Sequence, residues 1–97
     1  MSIIENLNKI FDSRIRLGIM AALSVTDAED FNRLKELLGL TDGNLASHLR
    51  TLEEAGYIAS IKKFVGRKPN TRYSITGIGS AAFKEHIGAL EKLLGSQ

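Results

Sequence analysis

Residues 40–58 read LTDGNLASHLRTLEEAGYI, a helix-like stretch whose polar positions are unusual in kind. A helix face that merely meets water favours Glu and Lys, whereas this one offers Asn44, Ser47, His48, Arg50 and Thr51. Such side chains suit base edges and phosphates: an amide pairs with adenine, a guanidinium with guanine or a phosphate, hydroxyls and imidazole with either. Thr41 and Gly43 open the same stretch, where a glycine permits close approach and the free amides of a helix start favour a phosphate. A second set lies in SIKKFVGRKPNTRY, residues 60–73, with Lys62, Lys63, Arg67, Lys68 and Arg72 and no acid. The 97 residues carry a net +2, so setting these five cations aside leaves −3 on the remainder. A basic protrusion on a mildly acidic body points to a polyanionic partner more sharply than the pI of 9.1 does.

Other chemistries find little support. The sequence holds no cysteine, which removes thiolate nucleophiles, disulfides and sulfur metal sites together. Its two histidines, His48 and His86, fall on different predicted helices, and His86 is expected on the surface or at an interface rather than on a metal. GIGSAA, residues 77–82, matches a dinucleotide-binding fingerprint, but that fold needs a further parallel strand and its acid, and the residues after Ala82 read as helix. No nucleophile, carboxylate pair or metal cluster marks an enzyme, and no cofactor is expected.

The elements that must position these residues follow from periodicity. Ile3, Ile4, Leu7, Ile10 and Phe11 make a helical stripe, and Ser13 caps a helix through Leu23 with Ile15, Ile19, Ala22 and Leu23 inward. Whether these are one bent helix or two stays open. Residues 24–30 are a connection, with Phe31 as its anchor. A short helix from about Asn32 buries Leu34, Leu37 and Leu38 and stops at Gly39. Only Leu40, Thr41 and Asp42 precede the next helix, which is helix-turn-helix spacing, with Thr41 or Asp42 as cap. At ~100° per residue Leu49 and Leu52 lie within ~40° of Leu45, while Ser47, Arg50, Thr51 and Glu54 fall opposite and Asn44 and His48 on the flanks. YIASIKKFV and TRYSI read as strands joined by the turn formers of GRKPN. Thr76 then caps a last helix striped with Phe83, Ile87, Leu90 and Leu94.

In this order, LTDGNLASHLRTLEEAGYI and FVGRKPNTRYSITGIG resemble the recognition helix, wing and following Thr-x-x-Gly helix start of winged helix-turn-helix transcription regulators of the MarR-like and ArsR-like kind, over roughly residues 28–83. The resemblance implies a mainly helical α+β fold: one domain, 1–97, with helix-turn-helix at 32–55, a two-stranded hairpin wing at 57–75 and a closing helix at 77–94. It implies double-stranded DNA as partner, with helix 42–55 in the major groove and the wing on the minor groove or backbone. It also implies a homodimer through the outer helices, involving Ile3, Ile4, Leu7, Phe83, Ile87, Leu90 and Leu94, with recognition helices ~34 Å apart. A chain of 97 residues gains from such extra burial, although both terminal helices packing within one subunit is the alternative. The other reading of the whole is a winged-helix module for protein contact, and the wing's lysines, Lys68 among them, also suit protection of an edge strand. No apolar run of ~18 residues or secretory leader is present, so the protein is expected in the cytoplasm.

Overall fold

Three short polar side chains punctuate the chain in the computed structural model, which describes residues 4–95. Ser13 Oγ accepts the Arg16 amide at 3.2 Å and opens α1 (Arg14–Ser24). Asp30 Oδ1 accepts the Arg33 amide at 2.7 Å and opens α2 (Phe31–Leu38). Thr41 Oγ1 accepts the Asn44 amide at 3.2 Å and opens α3 (Asp42–Glu54). Each satisfies a donor that the first helical turn leaves unpaired, and Thr41 rather than Asp42 is the cap. Gly39, at φ 63, turns α2 into α3 by adopting the left-handed conformation that suits a residue without Cβ.

A three-stranded antiparallel sheet joins β1 (Glu29–Asp30), β2 (Ile58–Val65) and β3 (Lys68–Ile75) in the order β1-β3-β2. Residues 29–30, read as connection, thus add a strand too short to show a pattern. The hairpin turn is tighter than GRKPN suggested: only Gly66 and Arg67 lie in it, while Lys68, Pro69 and Asn70 pair with Val65, Phe64 and Lys63. Gly66 at φ 66 followed by an ordinary negative φ has the sign pattern of a type II′ turn. Beyond the reach of β1, β3 has a neighbour on one side only, where a proline without an amide proton fits.

The core lies where α1, α2 and α3 meet over the base of the sheet. Its fully buried side chains are Ile19, Met20 and Leu23, Leu34, and Leu45, Leu49 and Leu52, joined by Phe11, Ile58 and Tyr73. Leu37, expected inside, is 51% exposed, because a two-turn helix meets the core along one edge. Leu38, ~40° from Leu34, takes the place against the core, and Leu37, ~60° to the other side, is left out.

Among the described residues, the expected amino-terminal helix does not form. Residues 4–7 are turns and bends, followed by a 3-10 turn at Lys9–Phe11, and Ile3 lies outside the described residues. Asn8 accounts for the break, because its backbone N–H goes to His86 Nδ1 at 3.1 Å instead of a helix carbonyl. Its side chain accepts from the Ile10 amide at 2.9 Å and donates to the Tyr57 hydroxyl at 2.8 Å. His86 is therefore a buried joint, not a surface residue: it is 5% exposed, its ring edge-on to Phe11 at 5.0 Å.

α4 (Gly77–Gly95) begins at a junction made by one hydroxyl. Thr76 Oγ1 accepts the Gly79 amide at 2.9 Å and donates to the Gly56 carbonyl at 2.7 Å, while the Thr76 amide donates to the Tyr57 carbonyl at 3.0 Å. Gly79 lies against the Tyr57 backbone so closely that a Cβ would stand 2.0 Å from its carbonyl oxygen. Of the two GIGSAA glycines, Gly79 is thus required by the close approach to Tyr57, whereas a Cβ at Gly77 would meet nothing within 4 Å.

Gly79→Ala is expected to destabilise the fold by about 1–3 kcal/mol, roughly 4–8 °C of melting temperature for each kcal/mol. Gly88→Ala, in the same helix with open space at its Cβ position, is expected to gain about 0.5–1 kcal/mol. Thermal unfolding followed by circular dichroism compares the two; equal melting temperatures would remove the Tyr57 contact as the constraint on α4.

Candidate nucleic-acid interface

The leucine stripe of α3 faces the core, so the opposite face is turned outward. Thr41, Gly43, Asn44, Ser47 and Arg50 are exposed on it, and Thr51 is half-buried. Among the described residues, the side chains of Asn44, Ser47 and Arg50 have no hydrogen-bond or ion-pair partner. Thr51 donates its hydroxyl to the Ser47 carbonyl at 3.3 Å and so has its proton committed within its own helix. Asp42, the acid of the first turn, pairs with Lys35 Nζ at 2.9 Å, which offsets its charge at the helix start.

His48 is held differently. It is half-buried on the flank of α3, with Nδ1 3.0 Å from Nη1 of Arg16, a residue of α1. Arg16 is itself anchored, its Nε donating to the Ile10 carbonyl. Burial first, then the Arg16 charge, holds the imidazole pKa below its ordinary 6.5. Sequence reading missed Arg16 because it stands 32 positions away and an arginine in a first helical turn is unremarkable.

The register divides the wing cations between its faces. Side chains alternate along a strand, and directly paired residues share a face. Lys63, Lys68 and Arg72 therefore line one face with Ile61 and Val65, Lys62 lies on the other with Phe64, and Arg67 occupies the tip. All five are exposed, but Arg72 donates to the Ala28 carbonyl at 3.2 Å and is tied to the base of the sheet. Ser60, on the Lys62 face, donates to Glu53 Oε2 at 3.0 Å, so that face continues the side packed on α3. Phe64, which sequence reading passed over, is 76% exposed opposite Pro69. An aromatic residue two positions from lysine on a strand was the signal available.

The apolar positions assigned to an interface fare unequally. Ile4 and Leu94 are 58% and 74% exposed, Leu7, Ile87 and Leu90 are half-buried, and Phe83 packs on the core with its ring edge-on to Phe11 at 5.8 Å. A groove of about 480 Å³ runs beside α4, lined in part by Ile75, Phe83 and Ile87. Among the described residues, no group of three or more metal-ligating side chains comes together and no helix is long and apolar enough to cross a membrane.

A family model described as a winged helix DNA-binding domain matches residues 15–94. Over 79 residues the chain is 44% identical to uncharacterized protein MJ0432 of Methanocaldococcus jannaschii, covering 81% of this chain and 86% of that one. The structure of a transcriptional regulator homologue from Pyrococcus horikoshii matches with a TM-score of 0.79 at 33% identity, over 95% of this chain and 96% of that one. YusO from Bacillus subtilis matches at 0.82 with 17% identity, over 97% of this chain and 66% of that one, a likeness of fold alone.

Because the folded-state pKa of His48 lies below the unfolded value, the unfolded chain binds more protons between the two. Stability is then expected to fall as pH drops below about 6.5 and to level off below the depressed pKa. Melting temperatures at about pH 7.5 and about pH 5 measure this, and His48→Gln is expected to show the smaller drop. An equal drop in both proteins would show that His48 contributes nothing to it.

Proposed function

Since the chain belongs to the winged helix DNA-binding domain family, we propose that it is a sequence-specific double-stranded DNA-binding transcription regulator of the MarR-like or ArsR-like kind that acts as a homodimer. One observation carries the reading: the exposed face of α3 presents Asn44, Ser47 and Arg50 without partners among the described residues, next to a hairpin holding five cations and no acid over residues 60–73. A helix of this kind enters the major groove, where Asn44, Ser47, His48 and Arg50 meet base edges or phosphates and Thr41, Gly43 and Thr51 lie along the backbone. Arg67 at the tip, with Lys62, Lys63 and Lys68, reaches the neighbouring minor groove or its phosphates, and Arg72 supports the base of the wing.

The whole chain works as one such domain in this reading, and a second copy supplies the symmetry of a two-fold operator. Ile4, Leu7, Ile87, Leu90 and Leu94 form the apolar surface for that copy, and the groove beside Ile87 extends it. Phe83 contributes less, being spent on its own core. Exposed Ile61, Phe64 and Val65 on the wing favour the second reading, a protein-docking module.

Duplex binding separates the two. Affinity for duplexes selected from a randomised pool is expected to fall steeply with salt, and Arg67→Ala and Lys68→Ala are each expected to lower the slope of log K against log salt by about 0.9. Absent or salt-independent binding favours the docking module. For the dimer, Leu90→Asp is expected to halve the mass seen by light scattering while the helical circular dichroism persists; an unchanged mass excludes this face of α4 as the interface.

A further inference from the structure

Arg16 holds one end of a side chain whose other end is free. A guanidinium has donors only, so a hydrogen bond from Arg16 Nη1 to His48 Nδ1 requires Nδ1 to be the unprotonated nitrogen. The neutral ring then carries its proton on Nε2. Among the described residues, Nε2 of His48 has no protein partner, and no buried side-chain nitrogen or oxygen is left without one, so Nε2–H opens to solvent beside the reading face of α3. Arg16 cannot swing away to release the ring without giving up the Ile10 carbonyl that its Nε grips.

We propose that Arg16, a residue outside the reading helix, fixes His48 as a donor and thereby restricts its contact on DNA to hydrogen-bond acceptors. The inference rests on the DNA-binding reading above. An imidazole free to change tautomer would accept from one base and donate to another. Held by Arg16, it meets purine N7, guanine O6, thymine O4 or a phosphate oxygen, and it is refused by the amino group of cytosine, itself a donor. Arg16 is thus a positioning residue for specificity, touching no base. The acceptor belongs either to a base edge or to the backbone, and the two sources leave different traces.

The test has a DNA-free arm and a DNA arm, both on the 97-residue chain. Long-range ¹H–¹⁵N spectra of the His48 ring are expected to show an unprotonated Nδ1 and a protonated Nε2. Arg16→Met is expected to abolish that single tautomer, and Arg16→Lys, which keeps a donor without an acceptor, to restore it; circular dichroism melts check that each variant folds. In the DNA arm, sites are selected from a random duplex library. A base contact predicts a preference against cytosine at one position that Arg16→Met weakens by about fivefold and Arg16→Lys restores. A phosphate contact predicts a similar loss across all sequences. In a His48→Ala background, Arg16→Met is expected to add nothing to either loss. A protonated Nδ1 in the parent protein, or Arg16→Met binding with unchanged affinity and preference, overturns the inference while the DNA-binding reading stands. The expected tautomer in a protein that binds no duplex overturns that reading, and the proposed acceptor with it.

Discussion

Leu45, Leu49 and Leu52 are buried among Ile19, Met20, Leu23 and Leu34, and this contact decides what the rest of the chain can be. Burying one such side chain stabilises by about 1.5–3 kcal/mol, whereas an exposed ion pair such as Lys35–Asp42 contributes about 0–1 kcal/mol. Apolar burial, not surface charge, therefore sets the rotation of α3 about its axis. With that rotation fixed, Asn44, Ser47 and Arg50 have nowhere to point but outward. The same burial places the end of α3 over the sheet, where Gly56 at φ 78 turns the chain into the first wing strand. The outward polar face of α3 and the wing are consequently two outcomes of one packing solution.

The wing, in turn, is held at its root. Thr76 reaches back to Gly56 and forward to Gly79, Ser60 reaches Glu53, and Arg72 reaches Ala28. These bonds join the exit of α3, the strand bases and the start of α4, whereas residues 61–69 toward the tip are all exposed. A bonded root with an exposed tip would leave the wing cations free to make the groove contacts proposed for them.

Much of this was legible in the sequence because it rests on short-range rules. The caps at Ser13 and Thr76, the glycine stop at Gly39 and the leucine spacing of α3 each follow from local geometry and turned up where expected. The features that escaped depended on partners distant in the chain. The 3–11 stripe has helical spacing, yet the amide of Asn8 is claimed by His86, 78 positions away, and the helix is lost. Leu37 and Leu38 carry equal hydrophobicity, and only the edge-on approach of α2 chooses between them. His48 was found as a polar flank residue, but its state is set by Arg16, which no periodicity links to it. The assignment of exposed side chains to DNA or to a second subunit belongs to chemistry outside a single chain.

The approach of Gly79 to Tyr57 bears on how freely this sequence can drift. In a leucine core, a change of volume at one position can be answered by a compensating change at a neighbour, and many combinations fill the same space. At Gly79 the opposing surface is the Tyr57 main chain, which has no smaller alternative to offer. A side chain added at Gly79 is therefore answered only by movement of the main chain, whereas a change in the core can be answered by a neighbouring side chain. Gly79 is thus constrained by the main chain it meets, although it contributes nothing of its own to be buried.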